Sequence, residues 1–466
     1  MSSITVNPVT RIEGHARIIL DTDDSGAVSS GHLQVLEIRG FEKLLEGMEL
    51  FKMPLITARI CGVCPAAHHM ASVTAIENGL RTEIPEAAAK LRELMYMGHI
   101  LHSHALSTFV LTGPDILAGL SAPPEQRNVF NLLKMQPEVV KKVLRLRSIG
   151  QRVVETVGGR GVHPVTSIPG GITSSPSDEE MSGMADWGKE ALDILDEMIP
   201  VVEEKLEAMA EIREAAELPF SSAGLSEDGQ VSFFQAPCVV MDDDGNVTRT
   251  FEAPDYAGHL VEHAMEGSYM KSVRLRGDTE SNFFVGPMAR LNVNQSFSTP
   301  KATEMLAAYR EKGHPRKSAL DFIEARLVEM VHCAERIGEL ASAGVSGDLL
   351  TEAQPGAGRF VGMVEAPRGI LIHEYETDDD GSLTGANLIV ATQNNYDAID
   401  HSITALASLF ADTGDDNLLM NGVEFALRCY DPCLACATHV AGRMPMIVEV
   451  RRNGKRVRKF ERGAEQ

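Results

Sequence analysis

Two C-x2-C pairs stand almost at opposite ends of this chain, and they constrain its fold more than any other feature. The first is Arg59-Ile60-Cys61-Gly62-Val63-Cys64-Pro65, followed by His68; the second is Asp431-Pro432-Cys433-Leu434-Ala435-Cys436, followed by His439. Together they use four of the seven cysteines. Thiolates are soft ligands that select nickel, copper(I), zinc or iron–sulfur centres. Gly62 permits a sharp turn inside the first pair and Pro432 stiffens the entry to the second, so each pair can close on one ion. If all four sulfurs share that ion, the polypeptide must bring its two extremities together. The chain is then one closed unit rather than a string of domains. A structural zinc ribbon is the simplest alternative, but its pairs usually lie about 15–20 residues apart. Here Cys64 and Cys433 are separated by 369 positions.

Composition narrows the setting. A length of 466 residues is enough for a deep core, and 44% apolar with 23% charged residues is ordinary for a globular protein. The formal charge of −23 repels nucleic acid and anionic lipid, so neither is an expected partner. The opening MSSITVNPVTRIEGH has no apolar signal core, and no uninterrupted run of about 18 apolar residues occurs, so no membrane span or export signal is expected. An odd cysteine count with two C-x-x-C pairs fits reduced, metal-binding thiolates and a cytoplasmic location.

Periodicity predicts a mainly α protein with small β appendages, an α+β fold in which a bundle of long helices encloses a buried metal site. Helical spacing runs from Pro85 to about Val110 and over 137–157, 178–216, 316–343 and 396–412. The stripe Leu320, Ile323, Leu327, Met330, Val331, Ala334, Ile337 and Leu340 is the clearest. Strand-rich patches are expected near 4–38 (a hairpin around 23–26), 225–300 and 360–390, with polar turns at 243–246 and 378–381. Residues 1–439 read as a single unit and 440–466 as a C-terminal tail.

The motifs R-I-C-G-V-C-x3-H and D-P-C-x2-C-x2-H resemble those of nickel–iron hydrogenase large subunits. The resemblance extends through Arg11-Ile12-Glu13-Gly14-His15, Arg39-Gly40-Phe41-Glu42, Gly159-Arg160-Gly161-Val162-His163-Pro164 with Gly170-Gly171, and Glu365-Ala366-Pro367-Arg368-Gly369. It implies the hydrogenase large-subunit fold and reversible heterolytic cleavage of H2. The centre would be nickel held by four cysteines and bridged to an iron carrying carbon monoxide and cyanide. Cys61 and Cys433 would be terminal nickel ligands, and Cys64 and Cys436 would bridge to iron.

Further roles follow from the same resemblance. Arg368 would project over the open side of the metals, where a planar, permanently charged guanidinium stabilises anionic diatomic ligands. Asp431 would pair with it, and Asp115 would be a second partner. Glu13 would accept a proton from a cysteine sulfur; the plain alternative is an ion pair with Arg11. His68 would hydrogen-bond a bridging sulfur. Glu42 and His439 would hold a magnesium ion. His69, His99, His102 and His104 read as packing or polar-network residues, and Cys238, Cys333 and Cys429 as buried small apolar ones.

Two departures stand out. Ala391 occupies a position where many relatives donate a hydroxyl to a cyanide, leaving Thr392 or backbone amides for that task. Residues 440–466, with a basic run at 451–459, correspond to an extension that a maturation endopeptidase removes in the family. The chain carries no further C-x2-C-rich segment, so the resemblance implies an obligatory iron–sulfur small subunit. The texture is most like the cytosolic cofactor-coupled group. Within it the F420-non-reducing, heterodisulfide-reductase-linked type comes first and the NAD-linked type second. A quinone-site scaffold protein like that of respiratory complex I and a structural zinc protein are the rivals from other classes. The scaffold has lost the cysteines that this chain keeps.

Overall fold

The expected amphipathic stripes become long helices that pack on one another. A computed structural model describes residues 2–438 apart from 7, 8, 25, 26, 39 and 124, together with 446–452 and 455–462. Helices used below are α1 (Pro65–Leu80), α2 (Glu86–Ala105), α3 (Pro137–Gly158), α4 (Asp178–Glu207), α5 (Asp321–Ala343), α6 (Tyr396–Ala411) and α7 (Asp416–Cys429). Helix α5 packs against α4 and α2, and α2 against α3, which makes the bundle. Ser177 caps α4 reciprocally: its hydroxyl accepts the Glu180 N–H, and the Glu180 carboxylate accepts the Ser177 N–H.

Two boundaries differ from expectation. Helix α4 ends at Glu207 and a separate turn covers Ala210–Ala215. Helix α5 begins at Asp321 rather than 316, because Asp321 accepts from the Ser318 N–H and the Arg316 guanidinium and so holds 316–320 outside the helix. Helix α1 is one that periodicity does not predict. Its residues from Pro65 to Glu77 are all buried, so it has no polar face to generate a 3.6-residue rhythm.

Strands occur in each of the three expected regions and also outside them, at Ser167–Ile168, at Gly171–Ile172 and within 446–462. Strands β1 (Ser2–Val6), β2 (Ala16–Thr22) and β3 (Val28–Val35) form an antiparallel sheet in chain order, with β3 lying against α6. A five-stranded sheet draws on the 221–284 segment. The third patch matters most for the site. Strands β4 (Gly358–Ala366), β5 (Gly369–Thr377) and β6 (Leu383–Ile389) pair antiparallel. Ala366 pairs with Gly369, so only Pro367 and Arg368 connect β4 to β5, and Arg368 rides on a two-residue turn. Helix α1 lies directly on β4: a Cβ at Gly362 would collide with the Ala75 nitrogen. That backbone-to-backbone approach, at Ala71 and Ala75, holds the middle of α1, the helix that Cys64 precedes, against the hairpin that carries Arg368. Residues 446–452 and 455–462 pair as an antiparallel hairpin. Among the described residues no helix is long and apolar enough to cross a membrane.

Candidate metal centre

Each cysteine pair is delivered by a turn that opens a helix. Cys64 is the residue preceding α1, whose first position is Pro65, a placement that costs no helical hydrogen bond. The Cys61 sulfur accepts from the backbone N–H groups of Val63 and Cys64 at 3.2 and 3.4 Å, closing the first turn. Asp431 adopts the left-handed conformation (φ 51°), which redirects the chain after α7, and Cys433 precedes the short helix Leu434–Ala437.

The two pairs meet. The Sγ atoms of Cys61, Cys64, Cys433 and Cys436 all lie within 4.8 Å of one another. Individual separations are 3.3 Å for Cys61–Cys433, 3.3 Å for Cys64–Cys436, 4.0 Å for Cys64–Cys433 and 2.7 Å for Cys433–Cys436. A tetrahedral ion with metal–sulfur bonds of about 2.3 Å needs sulfurs about 3.8 Å apart, so small outward rotations accommodate one. All seven cysteines are free. Hydrogen bonding with Cys433, Cys436 and Cys61 holds the Cys64 thiol well below the ordinary range, whereas burial pushes Cys433 and Cys436 well above it. Crowded sulfurs cannot all ionise without a cation between them, and this donor set fits a soft one.

The surroundings are charged. Arg368 is 4% exposed, and its Nη2 donates to Asp431 Oδ1 at 3.0 Å while Nε donates to the Asp431 carbonyl. Its Nη1 and the Asp431 Oδ2 are buried without a hydrogen-bond partner among the described residues. Burial alone would lower the pKa of Arg368, but Asp431 and the Cys433, Cys64 and Cys61 sulfurs hold it above the ordinary value. Burial raises Asp431. A closed zinc site has no use for an orphaned guanidinium N–H beside its sulfurs; a centre with additional anionic ligands does.

Glu13 reaches the second cysteine pair. Its Oε2 lies 3.2 Å from the Cys433 sulfur and accepts the Ala435 N–H at 2.9 Å, while its carbonyl accepts the Leu434 N–H. Arg11 turns elsewhere, so the expected ion-pair alternative for Glu13 does not form. The Thr392 hydroxyl accepts the Cys433 N–H at 3.0 Å and lines a small cavity with Ala391, Arg368, Cys64 and Cys436. His68 contributes to lowering Cys64, and its Nδ1 stands 3.0 Å from His373 Nε2, which extends to Tyr375 and Ser72. Sequence reasoning misses His373, because nothing in its β-strand neighbourhood signals a partner for His68. Of the other histidines, His69 meets the Pro54 carbonyl, His99 pairs with His102, and His104 pairs with Glu329 at 2.6 Å.

Asp115 departs from its expected place beside Arg368. It is fully buried and gathers three other guanidiniums: Arg11 at 2.6 Å, Arg127 at 2.7 Å and Arg428 at 3.0 Å. Arg428 also donates to the Thr10 carbonyl and to Glu424, and Glu424 accepts the Thr10 N–H. The cluster staples the N-terminal segment that carries Glu13 to helix α7, which leads into Asp431 and Cys433. Asp115→Asn strands buried arginines without a counter-charge. It is expected to destabilise the fold by about 3–5 kcal/mol, read as a lower denaturant midpoint of the assembled protein.

Glu42 is buried and accepts the Leu388 N–H at 3.2 Å. His439 and its proposed pairing with Glu42 lie outside the described residues.

The comparisons with known proteins agree with this geometry. A family model described as "Nickel-dependent hydrogenase" matches residues 39–158 and 201–439, and one described as "HoxL-like" matches 3–38. The NAD-reducing hydrogenase HoxS subunit beta of Cupriavidus necator is 35% identical over 96% of both chains. An F420-non-reducing hydrogenase (vhu) chain of Methanococcus voltae is 39% identical over 88% of this chain and 100% of its own length. Among solved structures, an NAD+-reducing [NiFe]-hydrogenase in the H2-reduced state superposes with a TM-score of 0.90 at 33% identity, covering 94% of this chain and all of the other.

Proposed function

This chain belongs to the nickel-dependent hydrogenase family as a large subunit, and from that premise we propose how its residues serve the cleavage of H2 into two protons and two electrons. As a member it is an oxidoreductase acting on H2, and the Cys61, Cys64, Cys433 and Cys436 cluster fits the family's metal site. The observation that carries the reading is the convergence of four sulfurs beside an unpartnered Arg368 N–H.

In this reading Cys61, Cys64, Cys433 and Cys436 would hold a nickel–iron centre, Cys61 and Cys433 as ligands to nickel alone and Cys64 and Cys436 as ligands shared with an iron that would carry carbon monoxide and cyanide. Such a centre, when bound, supplies the redox chemistry that removes the electron pair of H2. The protein supplies the rest. Arg368 directs Nη1 toward the anionic ligands, and Asp431 fixes its plane through two contacts. Thr392, already accepting from Cys433, has its own hydroxyl proton to donate toward a cyanide in place of the donor missing at Ala391. Glu13 accepts the proton delivered to the Cys433 sulfur and passes it outward. His68, oriented by His373, donates toward Cys64 and tempers its basicity. Glu42 and His439 would hold magnesium.

Electrons leave to an iron–sulfur small subunit, then to further electron-transfer subunits of the heterodisulfide-reductase-linked kind. An NAD-linked assembly is the second reading, supported by 35% identity to the NAD-reducing relative over 96% of both chains. Residues 1–439 act as one unit, and 440–466 form the C-terminal tail that a maturation endopeptidase would remove if the tail is processed. Seven free thiols suit a reducing cytoplasm.

Infrared spectroscopy with metal analysis tests the centre. One nickel with iron, and bands from carbon monoxide and cyanide, are expected. Zinc alone, or no transition metal, would return the chain to a structural or scaffold role.

A further inference from the structure

Arg290 is 0% exposed and every one of its nitrogens is engaged. Nε and Nη2 grip Glu329 at 2.6 and 2.7 Å, and Nη1 meets Glu365 at 2.7 Å. The remaining bonds go to the carbonyls of Ala366 at 3.0 Å and Pro367 at 3.2 Å. A core ion pair would be complete without those two carbonyls. They belong to the two residues immediately before Arg368, at the turn between β4 and β5. Glu365 is held in addition by the Leu225 N–H at 2.9 Å, and its carbonyl accepts the Tyr96 hydroxyl at 2.8 Å. From the other side, a Cβ at Gly286 would stand 2.7 Å from the Arg368 carbonyl, so backbone presses directly on the turn.

The geometry points to Arg290 as the positioning residue of Arg368: it clamps the turn whose tip aims the Arg368 guanidinium at the sulfur cluster. This rests on the role proposed above for Arg368. A turn of only two residues takes its tilt from whatever holds the strand ends that flank it. A displacement of about 1 Å at a reacting group costs about 100-fold in rate. Arg290→Lys keeps the charge between Glu329 and Glu365, but a single nitrogen cannot hold a carboxylate pair and two carbonyls at once.

The experiment is a double-mutant cycle on the assembled, metal-loaded enzyme, using Arg290→Lys, Arg368→Lys and both together, with nickel and iron measured in each. Arg290→Lys is expected to retain its metals and lose about 10–100-fold in kcat. The double variant should be no slower than Arg368→Lys alone, because the clamp has nothing left to aim. Losses that multiply, or an unimpaired Arg290→Lys, would overturn the proposal. An unimpaired Arg368→Lys would instead remove the role of Arg368, and the clamp's purpose with it. Should Arg290→Lys fail to assemble, Glu365→Gln loosens one arm of the same grip and enters the same cycle, with the same non-multiplying outcome expected.

Discussion

Replacing Cys436 by serine is expected to abolish H2 uptake and to strip the protein of nickel and iron. The exchange is nearly isosteric, so the surrounding core has little reason to collapse. What changes is the donor. A serine oxygen is hard and remains protonated near neutral pH, whereas a soft, redox-flexible metal selects thiolate sulfur. Cys436 lies within the sulfur cluster, at 2.7 Å from Cys433 and 3.3 Å from Cys64. Losing it removes one point of the tetrad and one of the two proposed bridges. Metal content of the purified assembly and dye-linked H2 uptake read the outcome together. A variant with full metal and full uptake would reject the ligand assignment.

Arg368→Lys should behave in the opposite manner, keeping its metals and losing turnover. The four sulfurs are untouched, so binding persists. The guanidinium, however, does more than carry charge: Nε and Nη2 hold two oxygens of Asp431, and Nη1 is left without a partner in a residue that lines the same cavity as Cys64, Cys433 and Cys436. An ammonium is a point charge without that planar fork, and a buried one surrenders its proton more readily. A loss of about 100- to 1,000-fold in kcat is expected, the magnitude typical of removing one oriented donor from charge that develops during reaction. Turnover close to that of the parent protein would show that the arginine serves the fold alone.

Much of this is readable in the residues, for identifiable reasons. Thiol pairs, an arginine in Ala-Pro-Arg-Gly and a glutamate in Arg-Ile-Glu-Gly are chemically specific, so their convergence can be anticipated without coordinates. Helices α2 from Leu94 and α5 as far as Ala334 are buried all round and are read from the spacing of their large apolar residues, whereas α3, α4 and α6 announce themselves by a polar face and an apolar one. Helix α1 does not, being buried throughout, and α7 turns Asn421, Glu424 and Arg428 inward, so its polar residues misreport its buried side. Asp115 meets arginines other than the expected one because composition cannot say which guanidinium a carboxylate will face in space. Arg290 carries no signal at all: two of its partners are backbone carbonyls 76 and 77 positions away.

The meeting of two cysteine pairs 369 positions apart in sequence has a consequence for biosynthesis. While the ribosome is still translating the central helices, the nascent polypeptide exposes Cys61 and Cys64 as a bare dithiol with no mate. A site that uses all four sulfurs can be completed only once synthesis has passed Cys436, and until then the first pair stands open to adventitious zinc or oxidants.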